Sequence, residues 1–256
     1  ELGLFKVAGV ITGFIGFPIG ILLVIYMPVV SNLFGSNKIN EIKRIYTIIT
    51  KWICFLTLPL FIFLFIFSEK VIGIIYGNEY VIAANTFRIL SIATIVTNFA
   101  GPNGATLVSI GKPRFVMYSI LVASIINIVL NIFLIPRYGI EGAAISVTIA
   151  LISFNIIKCS VLYSSVGVTS LNYKLIKPTI STLLIIFILY FIFKNFFVIK
   201  IWMIPIFFIG FYIIYFLFFL FTKSIDNEDI EMISIIGKKI HIKTDFLTNI
   251  MYKFKN

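Results

Sequence analysis

The sequence predicts an all-α fold, a polytopic bundle of transmembrane helices, on three observations. Charged residues make up 12% of the 256 positions and hydrophobic ones 60%, with a mean hydropathy of +1.10. A soluble domain carries roughly 25% charge, so about half the usual means of facing water is missing. The apolar residues also fall into about seven stretches, each long enough to cross ~30 Å of hydrocarbon, which takes about 20 residues of helix. Finally, Lys and Arg are shared unequally between alternate connectors, the pattern that orients membrane helices.

In chain order, the first stretch covers residues 7–34 and holds Pro18 and Pro28; the second covers 45–67, with Pro59 near its centre. The third, 81–110, is interrupted at Gly101-Pro102. The fourth covers 115–135, the fifth 143–163, the sixth 175–193 and the seventh 201–221. Inside hydrocarbon a proline leaves a carbonyl without its N–H, and neighbouring helices or a wet cavity must supply the partner. Pro18, Pro28, Pro59 and Pro102 together favour a bundle bent around an interior space, although Pro28 also suits a helix end.

After Phe221 the composition turns polar, and Ser224 with Asn227 and Glu228 suits the start of a short helix with an acidic first turn. The chain therefore divides into a transmembrane bundle, 1–221, and an amphipathic tail, 222–256, expected to lie along the cytoplasmic face of the bilayer. Opening on Glu1 rather than Met, with Lys6 alone ahead of a long apolar run, the sequence reads as an internal portion of a longer protein.

Orientation follows from the cations. Lys38, Lys43, Arg44 and Lys51 are assigned to the connector after the first span, Lys112 and Arg114 to the third, and Lys158, Lys174 and Lys177 to the fifth. The tail adds Lys223, Lys238, Lys239, Lys243, Lys253 and Lys255. The intervening connectors hold only Lys70, Arg137, Lys194 and Lys200. The rich side is read as cytoplasmic, which puts the start of the chain outside and the tail inside the cytoplasmic membrane. These basic connectors account for the net charge of +11 through topology and contact with anionic membrane lipids, with no nucleic-acid partner.

Enzyme chemistry has few materials here. Cys54 and Cys159 lack CxxC spacing, and the single histidine, His241, lies in the tail, so no disulfide framework, thiolate metal site or intramembrane Ser-His-Asp triad is expected. HExxH, GxSxG and GxxxxGK[ST] are absent, and no cofactor is called for.

Polar residues within spans carry the candidate site, since their burial in lipid is costly and points to function. Arg88 lies about a turn and a half into the third span. It can snorkel to lipid phosphate or face a wet cavity and attract an anionic group. Asn98 and Asn103, with Thr97 and Thr106, continue this polar character around the Gly101-Pro102 break. Asn127 and Asn131 are four apart and share a helix face; they suit hydrogen bonding between helices or contact with substrate hydroxyls. Lys6 suits an interface anchor. The run from Gly139 through Ala144 reads as a helix-entry turn whose small residues allow close packing.

Residues 127–146, NIVLNIFLIPRYGIEGAAIS, resemble a stretch of oligosaccharide-lipid flippases, in which an Asn-rich helix, an Ile-Pro-x-Tyr-Gly turn and a Gly-Ala-Ala helix start follow one another. These flippases belong to the multidrug/oligosaccharidyl-lipid/polysaccharide exporter superfamily. Gly3, Phe5 and Ala8 are similar to that family's Gly-x-Tyr-x-x-Ala helix start, and Pro28 with Ser31 to its Pro-x-x-Ser helix end. Tyr76-Gly77 with Tyr80 is similar to its Tyr-Gly-x-x-Tyr loop, and the run from Leu107 to Lys112 to the stretch before its Gly-Lys loop. The likeness covers roughly residues 1–165; the last two spans match by position and hydropathy.

The resemblance implies the C-terminal half of a two-lobed, fourteen-helix transporter. It implies movement of a polyprenyl-linked oligosaccharide across the membrane, with the anionic pyrophosphate and sugar held in a cationic cavity to which Arg88 and Lys6 would contribute. A coupling ion is left open. The alternatives are a cation-coupled multidrug exporter of the same superfamily and, from another class, a membrane-embedded glycan polymerase or glycosyltransferase.

Overall fold

The computed structural model describes residues 1–169, together with four helical positions at Gly210, Tyr212, Ile213 and Tyr215. The chain divides into two compact units, Glu1–Asn172 and Tyr173–Asn256. The first is described below; the sixth and seventh expected spans and the tail lie outside the described residues, apart from those four positions.

Every regular element among the described residues of the first unit is helical: α1 (Leu2–Gly35), α2 (Ile39–Ile66), α3 (Ser68–Tyr76), a 3₁₀ turn (Asn78–Tyr80), α4 (Ala83–Phe99), α5 (Asn103–Ser109) and α6 (Pro113–Val166). In water such an inventory would leave a large apolar surface unexplained. Phe14, Phe17, Val24, Ile125, Ile132 and Phe133 are all more than half exposed, as expected of residues that meet lipid chains rather than solvent.

Three of these helices are long and apolar enough to cross a membrane: α1, α2 and α6. At 54 residues, α6 would extend about 81 Å if straight, far beyond a bilayer. It does not run straight. Gly139 adopts φ 54°, ψ −130°, a conformation open to glycine and closed to a residue bearing Cβ. The chain reverses there into two arms, residues 113–138 and 140–166. The reversal is tight: a Cβ built on Gly142 would lie 2.3 Å from the Leu134 carbonyl oxygen. The small residues expected to permit close packing do so, and Ala144 is fully buried. Counting each arm separately, and α4 with α5 as one interrupted rod, the first five expected stretches are all helical.

Three features depart from the sequence reading. Pro28 does not end α1, which continues to Gly35, and Pro18 and Pro59 likewise sit within unbroken helices. The segment between the second and third spans forms α3 and the 3₁₀ turn rather than an open loop. Lys51 and Lys158, assigned above to connectors, lie inside α2 and α6 and are buried, at 3% and 5% exposure. A helix extends as far as its backbone geometry allows, not as far as its hydropathy does: α2 starts six residues before the apolar run, and α6 continues to a left-handed cap at Gly167.

The bundle is apolar at one end. Val7, Ala8, Ile11 and Ile15 of α1 pack with Leu64 of α2, Val71 and Ile72 of α3, Ala84, Phe87 and Leu90 of α4, and Ala144 of α6. The second arm of α6 runs alongside α4 in the same direction: Thr148 donates to the Ile89 carbonyl at 3.1 Å, and Asn155 to the Thr97 hydroxyl at 2.8 Å. Toward the other end, the core becomes polar.

Candidate functional site at a broken helix

The break between α4 and α5 gathers the polar core. Pro102 has no N–H, and Gly101 takes φ +71°, so the helical ladder cannot pass through them. In an unbroken helix the Gly104 N–H would donate to the Ala100 carbonyl. Here the Gly104 N–H donates to Asn103 Oδ1 at 2.6 Å, and the Ala100 carbonyl accepts the Tyr46 hydroxyl at 2.5 Å. The Asn98 carbonyl, which loses Pro102 as donor, accepts the Gly101 N–H at 3.1 Å and the Cys54 thiol at 3.8 Å. The backbone groups freed by the proline thus find partners on α2 and on the side chain of Asn103, as a low-dielectric interior requires.

The close approach of α2 also explains the glycine. A Cβ on Gly101 would lie 2.3 Å from Thr50 Oγ1 and 3.1 Å from the Tyr46 hydroxyl. On the α1 side, the Tyr26 and Thr106 hydroxyls share a hydrogen bond of 2.7 Å.

On the α6 side, Asn155, Lys158 and Cys159 share one face. Asn155 is buried and reaches both halves of the broken helix. Its Nδ2 donates to Thr97 Oγ1 of α4, and its Oδ1 accepts from Asn103 Nδ2 of α5 at 3.3 Å. The Asn103 amide also lies 3.2 Å from Cys159 Sγ. The Lys158 ammonium stands 3.6 Å above the centre of the Phe154 ring, and it lies 3.6 Å from a Cβ built on Gly104. Among the described residues, no carboxylate forms an ion pair with Lys158. It lies about 12 Å along α6 from the helix end at Val166, where an ammonium is costly to hold unless something anionic or wet accompanies it.

The residues singled out from sequence do not form one cluster. Asn98 and Asn103 are buried at the break. Arg88 lies ten residues earlier on α4, about 15 Å along the axis. It donates to Glu69 Oε1 at 2.9 Å, to Asn85 Oδ1 at 3.1 Å and, more weakly, to the Phe65 carbonyl at 3.4 Å. Asn127 and Asn131 sit on the first arm of α6 and bond to each other at 3.1 Å. Lys6 is exposed near the start of α1. Asn155, Lys158 and the buried Lys51 are absent from the sequence-based set. The signal for the first two is there: an asparagine, a lysine and a cysteine at i, i+3 and i+4 lie on one face of a mostly apolar span.

The MatE family pattern matches residues 1–133, just over half of the chain. The chain belongs to the MatE family. This is a family of membrane transporters, not enzymes, within the exporter superfamily that the sequence motifs resemble, and membership sets aside the polymerase alternative. Over 158 residues the MatE chain is 26% identical to the probable low-salt glycan biosynthesis flippase Agl15 of Haloferax volcanii, a match covering 60% of this chain and 33% of that protein. It is 33% identical over 88 residues to the uncharacterized membrane protein MJ1068 of Methanocaldococcus jannaschii, covering 34% of this chain and 17% of that one. Among solved structures it superposes on the lipid II flippase MurJ in its inward closed conformation, with a TM-score of 0.63 at 20% identity, over 84% of this chain and 46% of that one. The fold is therefore MurJ-like, and the chain spans about a third of the Haloferax relative and under half of the solved flippase.

Proposed function

We propose that this chain is the C-terminal half of a flippase that carries a polyprenyl-linked oligosaccharide across the cytoplasmic membrane for surface glycan assembly, with its tail on the cytoplasmic side. One observation carries the anionic cargo: the buried Lys158 beside the broken helix. A cation in such a place attracts a pyrophosphate strongly, because little solvent screens the pair. The Phe154 ring offsets part of the desolvation cost through its negative face, at 3.6 Å. Asn98 and Asn103 place amides at the same break, and Asn127 and Asn131 supply a second amide pair for sugar hydroxyls. Arg88 has five N–H donors and uses three of them within the protein, so two remain for an incoming anion. Lys6, exposed at the start of α1, draws anions to the membrane surface. The names of the Haloferax relative and the MurJ structure support the same class of cargo.

The test is transport by the full-length protein in liposomes, using a fluorescent polyprenyl-pyrophosphate sugar and its neutral-linkage analogue. The pyrophosphate lipid should cross and the neutral analogue should not. Equal movement of both would remove the role given to Lys158. Export of a cationic dye without lipid movement would place the protein with the multidrug exporters instead.

A further inference from the structure

We propose that the α4–α5 junction is a hinge with two positions, that Asn155 is the latch holding the position seen here, and that the buried Asn98 amide biases the junction toward leaving it. The proposal goes beyond cargo recognition and stands on three features of the break.

The first is that no continuous main-chain ladder joins α4 to α5. Pro102 and the positive φ of Gly101 interrupt it, and the replacement bonds come from the side chains of Tyr46 and Asn103. An intact helix resists bending with hydrogen bonds at every residue, whereas this junction resists with a few side-chain contacts that can be exchanged.

The second is Asn155. Both Nδ2 hydrogens are committed, one to Thr97 on α4 at 2.8 Å and one to the Leu151 carbonyl of its own helix at 2.9 Å. Its Oδ1 accepts from Asn103 on α5. One rigid amide, anchored to α6, therefore spans the two halves of the broken helix and fixes their relative position.

The third is Asn98, next to Thr97. It is wholly buried, and among the described residues neither Nδ2 nor Oδ1 has a hydrogen-bond partner. Leaving a buried primary amide without partners penalises this position of α4. A position in which the amide is paired is correspondingly favoured, so latch and orphaned amide act in opposite directions on one joint. A transporter that exposes its interior first to one side and then to the other needs elements poised in this way.

Cys54 on α2 reports on the joint, since its thiol touches the Asn98 carbonyl and it makes no bond to Asn155. The experiment measures N-ethylmaleimide labelling of the full-length protein in liposomes, with peptide mass mapping to assign the label to Cys54. Asn155→Ala and Thr97→Val should each raise the Cys54 labelling rate at least about fivefold, the scale of one lost hydrogen bond. Asn98→Leu should lower it below wild type. An unchanged Cys54 rate in Thr97→Val overturns the latch, as does faster labelling confined to Cys159, which would mark only a local cavity. If Asn155→Ala fails to accumulate, the near-isosteric Thr97→Val decides alone. No cargo is present in the assay, so its outcome is separate from that of the transport test.

Discussion

Nη2 of Arg88 lies 2.9 Å from Oε1 of Glu69, joining α4 to the first turn of α3 at the apolar end of the bundle. The carboxylate is well exposed and the guanidinium partly so, at 60% and 29% of their side chains. A pair in such a setting is worth roughly 0–1 kcal/mol. Arg88→Ala should therefore leave protein abundance intact while lowering lipid-linked sugar transport several-fold, with Arg88→Lys milder. Glu69→Gln separates contact with cargo from simple pinning. If Arg88 meets the cargo, Glu69→Gln keeps near-normal transport in the liposome assay. An equal loss in both variants would reduce Arg88 to a strut.

Lys158→Gln should cut the initial rate of pyrophosphate-lipid movement about tenfold or more, the effect of deleting a buried charge that meets an opposite charge. Lys158→Arg, which keeps the charge in a bulkier form, should retain part of the rate. Thermal stability in detergent should hold or rise in Lys158→Gln, because a desolvated ammonium is lost. Melting curves and transport rates on the same preparations check both halves of this expectation.

Asn98→Leu should raise the melting temperature by a few degrees while impairing transport. A buried amide without partners costs about 1–3 kcal/mol, and leucine keeps the same branched skeleton without its polar atoms. A variant more stable and less active than wild type is the usual mark of a polar group retained for function. A fall in melting temperature would show that the amide is satisfied in the membrane.

Gly142→Val should lower both abundance and melting temperature. The new Cβ would press on the Leu134 carbonyl, 2.3 Å away, and backbone cannot move aside as a flexible side chain can. Overpacking of this kind costs about 1–3 kcal/mol. Gly9→Ala is the matched control: nothing stands within 4 Å of its Cβ, and alanine is the better helix former by roughly 0.5–1 kcal/mol. It should be neutral or slightly stabilising in the same measurement.

Much of the architecture can be read from residue types whose backbone needs are explicit. Gly101-Pro102 announces a helix break, and Tyr138-Gly139 with Gly142 announces a reversal, because few other residues fit the required dihedrals or the close approach. Apolar runs place the described helices for the equally direct reason that lipid excludes charge. Lys158 and Lys51 escape this logic. A lysine near the end of an apolar run looks like a connector charge, and only the true helix ends, at Val166 for α6 and Ile39 for α2, show how deep each one lies. The clamp made by Asn155 is further out of reach. It depends on which helix lies alongside α4, a tertiary fact with no local signature. The pairing of Asn127 with Asn131 is local, at i and i+4, and is accordingly visible in the sequence.

The reversal at Gly139 also sets the direction of the arm that follows it, residues 140–166. Were residues 113–166 to enter the bilayer as a single rod, the stretch would traverse once where it now traverses twice. Lys112, just before the first arm, and Ser165, near the end of the second, could then no longer meet as they do at 2.8 Å. One residue without a side chain thus lets the second arm return beside the first, and exchanging it for a bulkier type would oppose that return.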